Sequence, residues 1–153
     1  EAEENKKELE AYHKTSARYG GCGGGYFNDG YHATGVKAVQ IREGLLIDRI
    51  HLIYNDGFSS VGHGGTGGAD DVFELGVGEY INEVVVRSGA MIDQLTFITN
   101  KQRSSRVYGG GGGTRHEAKA PSGFMLGGIN GRSGLYLDQI TFYWVPAIGL
   151  PGY

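Results

Sequence analysis

Several short stretches of the chain alternate apolar and polar residues with a period of two, the rhythm of half-buried strands. Val39 and Ile41 alternate with Gln40 and Arg42, and Ile50, Leu52 and Tyr54 alternate with Arg49, His51 and Ile53. Leu95, Phe97 and Thr99 continue the pattern, as do Ile140, Phe142 and Trp144, so Trp144 reads as a core residue. Asp29-Gly30 and Asp56-Gly57 are hairpin-type turn signals. Short strands punctuated every ~8–12 residues predict an all-β sandwich or barrel. Residues 1–17, EAEENKKELEAYHKTSA, stand apart. They carry helix formers and i,i+4 charge pairs such as Glu3 with Lys7, without an apolar stripe. The expectation is an N-terminal tail over 1–17, with helix, if any, confined to it.

Three of the strands open with one phrase: GLLIDRIHLIY at 44–54, GAMIDQLTFIT at 89–99 and GLYLDQITFYW at 134–144. Their first glycines, Gly44, Gly89 and Gly134, are 45 residues apart both times. Glycine, three residues, aspartate is a weak pattern in a chain with 29 glycines, and it recurs at Gly25–Asp29 and Gly67–Asp71. The context separates the three: an aliphatic residue, Asp, Arg or Gln, another aliphatic, then alternation. Equal spacing of such segments marks an internal repeat. The glycine runs GGCGG (20–24), GGTGG (64–68) and GGGGG (109–113) share it, which argues against a flexible linker. One repeat cannot cover its own apolar face. Three equal repeats therefore predict three sheets around a pseudo-threefold axis with a shared core.

A length of 153 residues suits one domain. The net charge of −3 argues against a nucleic-acid or anionic-membrane partner. No apolar run approaches the ~20 residues of a membrane-spanning helix, so no direct membrane insertion is expected. The single Cys22 excludes an internal disulfide framework and reads as a small loop residue. His13, His32, His51, His63 and His116 lack metal-ligand spacing. Asp70, Asp71 and Glu74 miss the calcium-loop pattern and read as a solvated turn. No nucleophile motif or phosphate loop occurs. No catalytic residue, metal or cofactor is expected.

Taken in order, GGxGG, Phe27, Asp29-Gly30, GEYI at 78–81, Thr99-Asn100 and GLYLDQI resemble a jacalin-related lectin over about residues 18–146. The resemblance implies a β-prism of three four-stranded Greek-key sheets over residues 18–153, binding sugars without metal. In that family the last glycine of GGxGG and the first two x residues of Gly-x-x-x-Asp offer backbone N–H groups, while the Asp accepts sugar hydroxyls. Carried over, Gly24 serves with Leu135, Tyr136 and Asp138. Gly68 serves with Leu45, Leu46 and Asp48, and Gly113 with Ala90, Met91 and Asp93. The chemistry suits a sugar. A carboxylate accepts from two hydroxyls at once in charge-assisted bonds, and glycines let backbone approach a ligand closely.

Keeping three such loops resembles the multi-site, high-mannose-binding members. Only Tyr136 is aromatic among the three loops, and Asp48 and Asp93 also read as loop-capping carboxylates. The galactose branch uses a free amine made by cleavage at the glycine donor. Gly24 follows an uninterrupted chain, which favours mannose- or glucose-type glycans and glycoproteins as partners. Two other readings stand beside this one: a glycan-targeting module of a larger toxin or adhesin, and a β-prism that mediates protein contacts only. A homo-oligomer is left open.

Overall fold

A computed structural model describes residues 12–58 and 60–153. In chain order the strands are β1 (Lys14–Thr15), β2 (Tyr19–Gly20), β3 (Gly25–Asn28), β4 (Val36–Glu43), β5 (Ile47–Tyr54), β6 (His63–Gly64) and β7 (Ala69–Glu74). They continue as β8 (Ile81–Ser88), β9 (Ile92–Thr99), β10 (Tyr108–Gly109), β11 (Thr114–Lys119), β12 (Phe124–Ser133) and β13 (Leu137–Pro146). Among the described residues there is no α-helix, only a 3₁₀ turn at Ala147–Gly149.

The repeats become sheets. One runs β6-β5-β4-β7 and the next β10-β9-β8-β11. The last runs β13-β12-β3, with β1 and β2 both pairing β13. All pairings are antiparallel, and the last sheet closes the prism by joining the two ends of the chain. The inner face of each central hairpin feeds one core in layers that keep the repeat. Ile50, Leu95 and Ile140 form one set, and Leu52, Phe97 and Phe142 another, all with no exposed surface. Burying each such side chain stabilises the fold by about 1.5–3 kcal/mol.

Three local expectations change. The described part of the 1–17 segment is not helical: Lys14 and Thr15 pair with Trp144 and Tyr143 as an added edge strand. Ser16 anchors it, its N–H donating to Phe142 O and its Oγ accepting from Phe142 N, both at 2.9 Å. An exposed edge of β13 offers unpaired backbone groups, and that gain outweighs weak local helix propensity. The remainder of that helix expectation, residues 1–11, lies outside the described residues. Asp29-Gly30 is not a hairpin turn, because β3 and β4 belong to different sheets. Asp29 is buried instead, where Tyr54 Oη donates to it at 2.6 Å and His63 Nε2 lies 2.7 Å away. Asp56-Gly57 likewise starts a long β5–β6 connection rather than a tight hairpin. Asp70, Asp71 and Glu74 lie on β7, not on a turn, and Asp71 accepts from Tyr108 Oη at 2.6 Å.

Candidate functional site

Each Gly-x-x-x-Asp loop joins the two long strands of a sheet: 44–46 between β4 and β5, 89–91 between β8 and β9, and 134–136 between β12 and β13. All three turn alike, with Gly44, Gly89 and Gly134 N–H donating to Leu46, Met91 and Tyr136 O at 2.9–3.0 Å. A register shift follows in every sheet. Glu43 pairs Ile47 but Arg42 pairs Arg49, so Asp48 is the extra residue. The same shift leaves Asp93 extra between Ser88–Ile92 and Arg87–Gln94, and Asp138 between Ser133–Leu137 and Arg132–Gln139. A bulge re-aims the side chain it carries. Here it turns three carboxylates out of the alternation and toward the glycine runs.

Those runs lie within the same sheets, at 20–24 between β2 and β3, 64–68 between β6 and β7, and 109–113 between β10 and β11. The sequence pairings are therefore brought together: Gly24 with Asp138, Gly68 with Asp48, Gly113 with Asp93. Gly24, Gly68 and Gly113 adopt φ of +73° to +78°. A Cβ there would come within 2.6–2.8 Å of a carboxylate oxygen of its partner, so no larger residue fits.

Three arginines that the sequence analysis passed over hold the runs in place. Arg42 donates from Nε to Gly67 O and from Nη2 to Gly68 O, at 2.9 and 3.0 Å. Arg87 forks the same way onto Gly112 and Gly113, and Arg132 onto Gly23 and Gly24, at 2.7–3.2 Å. A trans peptide points its C=O and N–H in opposite directions. Fixing the Gly23, Gly67 and Gly112 carbonyls thus turns the Gly24, Gly68 and Gly113 N–H groups away from the guanidinium. The residue after each Asp adds a second brace: Arg49 to Gly64 O, Gln94 to Gly110 O and Gln139 to Gly21 O, at 2.8–2.9 Å. The signal was present, since Arg42, Arg87 and Arg132 keep the 45-residue spacing.

The carboxylates are less open than loop residues usually are. Asp138 is 6 % exposed and Asp48 8 %, while Asp93 is half-buried. Among the described residues no donor reaches the Asp93 or Asp138 carboxylate, and only its own amide reaches Asp48. Loop capping thus finds no bond at Asp93. Burial raises the Asp48 and Asp138 carboxyls above their ordinary value, opposed by Arg42 and Arg132 respectively. The first x residues stand out into solvent, Leu45 at 87 % and Leu135 at 81 % exposed. Ala90 is exposed as well, whereas Leu46, Met91 and Tyr136 are half-buried.

The six loops share one end of the prism. A Cβ on Gly21 would lie 2.2 Å from Ala90 O, on Gly65 2.4 Å from Leu135 O, and on Gly110 2.5 Å from Leu45 O. Each glycine run therefore touches the Gly-x-x-x-Asp loop of a neighbouring sheet, in a closed ring of three. Glu43 adds a bond across one of these joints, its Oε1 accepting from Gly109 N at 2.9 Å.

The model of the jacalin-like lectin domain matches residues 16–143. Solved structures are similar as well. Wild-type Malaysian banana lectin is 27 % identical with a TM-score of 0.79, over 87 % of this chain and 98 % of that one. AcmJRL, a mannose-binding jacalin-related lectin from Ananas comosus, is 27 % identical with a TM-score of 0.80, over 88 % and 98 %. Artocarpin in complex with mannotriose is 28 % identical with a TM-score of 0.78, over 86 % and 96 %. No curated protein matches the chain. With its three-sheet prism, repeated loops and family match over most of its length, the chain belongs to the jacalin-like lectin domain family.

Proposed function

We propose that the chain is a lectin that binds mannose- or glucose-type residues at three sites, one per sheet, without metal and without catalysis. One observation carries the reading. A buried or half-buried carboxylate with almost no protein donor lies against a glycine whose N–H is turned away from the arginine that braces its run, and the arrangement occurs three times. Burying an unpartnered carboxylate is costly, and hydroxyl donors from a ligand offset that cost. In each site the Asp accepts two hydroxyls, while the Gly24, Gly68 or Gly113 N–H and the loop amides of residues 135–136, 45–46 or 90–91 donate to sugar oxygens. Because the braces exist before binding, little ordering accompanies it. Artocarpin has been solved with methyl-α-mannose and with mannotriose, which supports the mannose-type assignment.

The test is competition on a glycan-coated surface in EDTA. Methyl mannoside should displace the protein at lower concentration than methyl galactoside. The reverse order would overturn the branch assignment, and loss of binding restored by calcium would overturn metal independence.

Affinity should also depend on pH in a defined direction. The ionised carboxylate is the acceptor, and burial raises the carboxyls of Asp48 and Asp138. Binding should thus weaken on acidification, starting above the ordinary aspartate value of ~3.9. Monosaccharide titrations between about pH 7 and pH 4 read the effect, and a flat profile over that range would contradict it.

A further inference from the structure

Beside the Asp48 loop, the outer face of the β6-β5-β4-β7 sheet carries a groove of about 560 Å³, within the ~300–1,000 Å³ of ordinary ligand sites. We propose that this groove is a second subsite, belonging to one of the three sites only. It takes an uncharged sugar residue linked to the one held at Asp48. The proposal rests on the lectin reading and deepens it at that site.

Two cross-strand rows form its floor. Asp70, Arg42 and Arg49 lie side by side across β7, β4 and β5, and Gln40 and His51 form the next row across β4 and β5. The wall is Val61 and Gly62, ahead of β6, together with Thr66 between β6 and β7. Thr66 belongs to the glycine run of the Asp48 site, and Arg42 braces that run, so groove and site meet without a gap in chemistry. Gly62 lets the Arg49 guanidinium pack against the wall, since a Cβ there would lie 2.3 Å from Arg49 Nε and push that side chain aside.

The buried Asp29 cluster holds the wall. Ser60 Oγ donates to Asp29 at 3.2 Å, His63 Nε2 lies 2.7 Å from it, and the His63 ring stacks on Phe27 with centroids 3.8 Å apart. In the other two sheets the equivalent serines, Ser16 and Ser105, accept instead from the Phe142 and Phe97 amides. The floor differs there too: Arg115, Arg87 and Gln94 in one sheet, Tyr26, Arg132 and Gln139 in the other.

The lining selects the class of occupant. Asp70 pairs in register with Arg42, so cation and anion stand on neighbouring strands, and a carboxylate or sulfate would face Asp70. A sugar hydroxyl both donates and accepts, which suits guanidinium, carboxamide, imidazole and carboxylate together. Val61, exposed on the wall, gives apolar surface for a pyranose C–H face.

Single-site proteins separate this from avidity. Asp93→Ala/Asp138→Ala retains the Asp48 site, and Asp48→Ala/Asp93→Ala retains the Asp138 site. Calorimetry compares methyl mannoside with mannotriose in each. The Asp48 site should favour mannotriose by about tenfold or more, and the Asp138 site by no more than about threefold. Gln40→Ala, and separately His51→Ala, should bring the ratio at the Asp48 site down to that of the Asp138 site. Equal ratios in the two single-site proteins would overturn the subsite and leave the lectin reading intact. Preference for a uronate-bearing disaccharide would overturn the uncharged occupant. Failure of the parent to bind methyl mannoside would refute the lectin reading, and this proposal with it.

Discussion

The triple variant Asp48→Ala/Asp93→Ala/Asp138→Ala should lose glycan binding while keeping its fold. A shallow site with one carboxylate and a few backbone donors holds a monosaccharide near millimolar, about −4 kcal/mol. Two charge-assisted hydrogen bonds at about 1.5 kcal/mol each account for most of that, so alanine should raise Kd by about 10² at the altered site. Each single variant should leave two of the three monosaccharide sites. A branched glycan reaching several sites gains about 10²–10⁴ by effective concentration, so one lost site should weaken it far more than by one third. The ring of loops at one end of the prism is what makes such bridging geometrically available. Stability should move the other way. Burial raises the Asp48 and Asp138 carboxyls, so their ionised forms detract from stability above the ordinary aspartate value, and acidification or alanine relieves that cost. Calorimetry with methyl mannoside counts sites, and thermal melts check the fold. A parent with one site, sensitive to Asp138→Ala alone, would defeat the trivalent reading.

Phe142→Ala should produce the opposite pattern, a large loss of stability with little change in intrinsic affinity. Phe142 has no exposed surface, sits in the layer with Leu52 and Phe97, and stacks near Trp144 with centroids 6.0 Å apart. Removing a buried phenyl group costs about 3–5 kcal/mol, a large share of the ~5–15 kcal/mol that holds a domain together. The central strands of all three sheets meet at this layer, so the cavity cannot be closed by shifting one of them. Urea unfolding should show a lowered midpoint with an unchanged slope. A cost below about 1 kcal/mol would mean that the layer is loosely packed and the shared core overstated.

Much of this could be read before any coordinates. Period-two alternation marked β5, β9 and β13 because burial on one face of a strand imposes it locally. The 45-residue spacing showed that the loops were equivalent, since equal lengths of chain between equal elements imply equal units. The assignment of Gly24 to the Asp138 loop came from the family resemblance, and the structure places the two in contact. The bulge was half legible. Ile47 and Ile50 both face inward, and a step of three positions, where strand alternation takes two, leaves one residue extra. The misreadings share a cause. Asp29-Gly30 has the composition of a tight turn, yet its carboxylate is claimed by Tyr54 and His63 from the next sheet. Residues 14–15 sit in a helix-forming stretch, yet they pair with β13, some 130 positions further on.

What the sequence determined by itself is therefore what short-range chemistry controls: strand rhythm, glycine where backbone must approach closely, and the number of repeats. Tertiary structure decided what depends on which distant groups compete for the same partner. The Arg132 fork reaches back across more than 100 residues to Gly23 and Gly24. The loops of one sheet lean on those of the next, and Asp48 and Asp138 are covered by glycine runs that lie far from them in sequence. Burial and long-range hydrogen bonds are properties of the closed prism. No local segment contains the neighbours that create them.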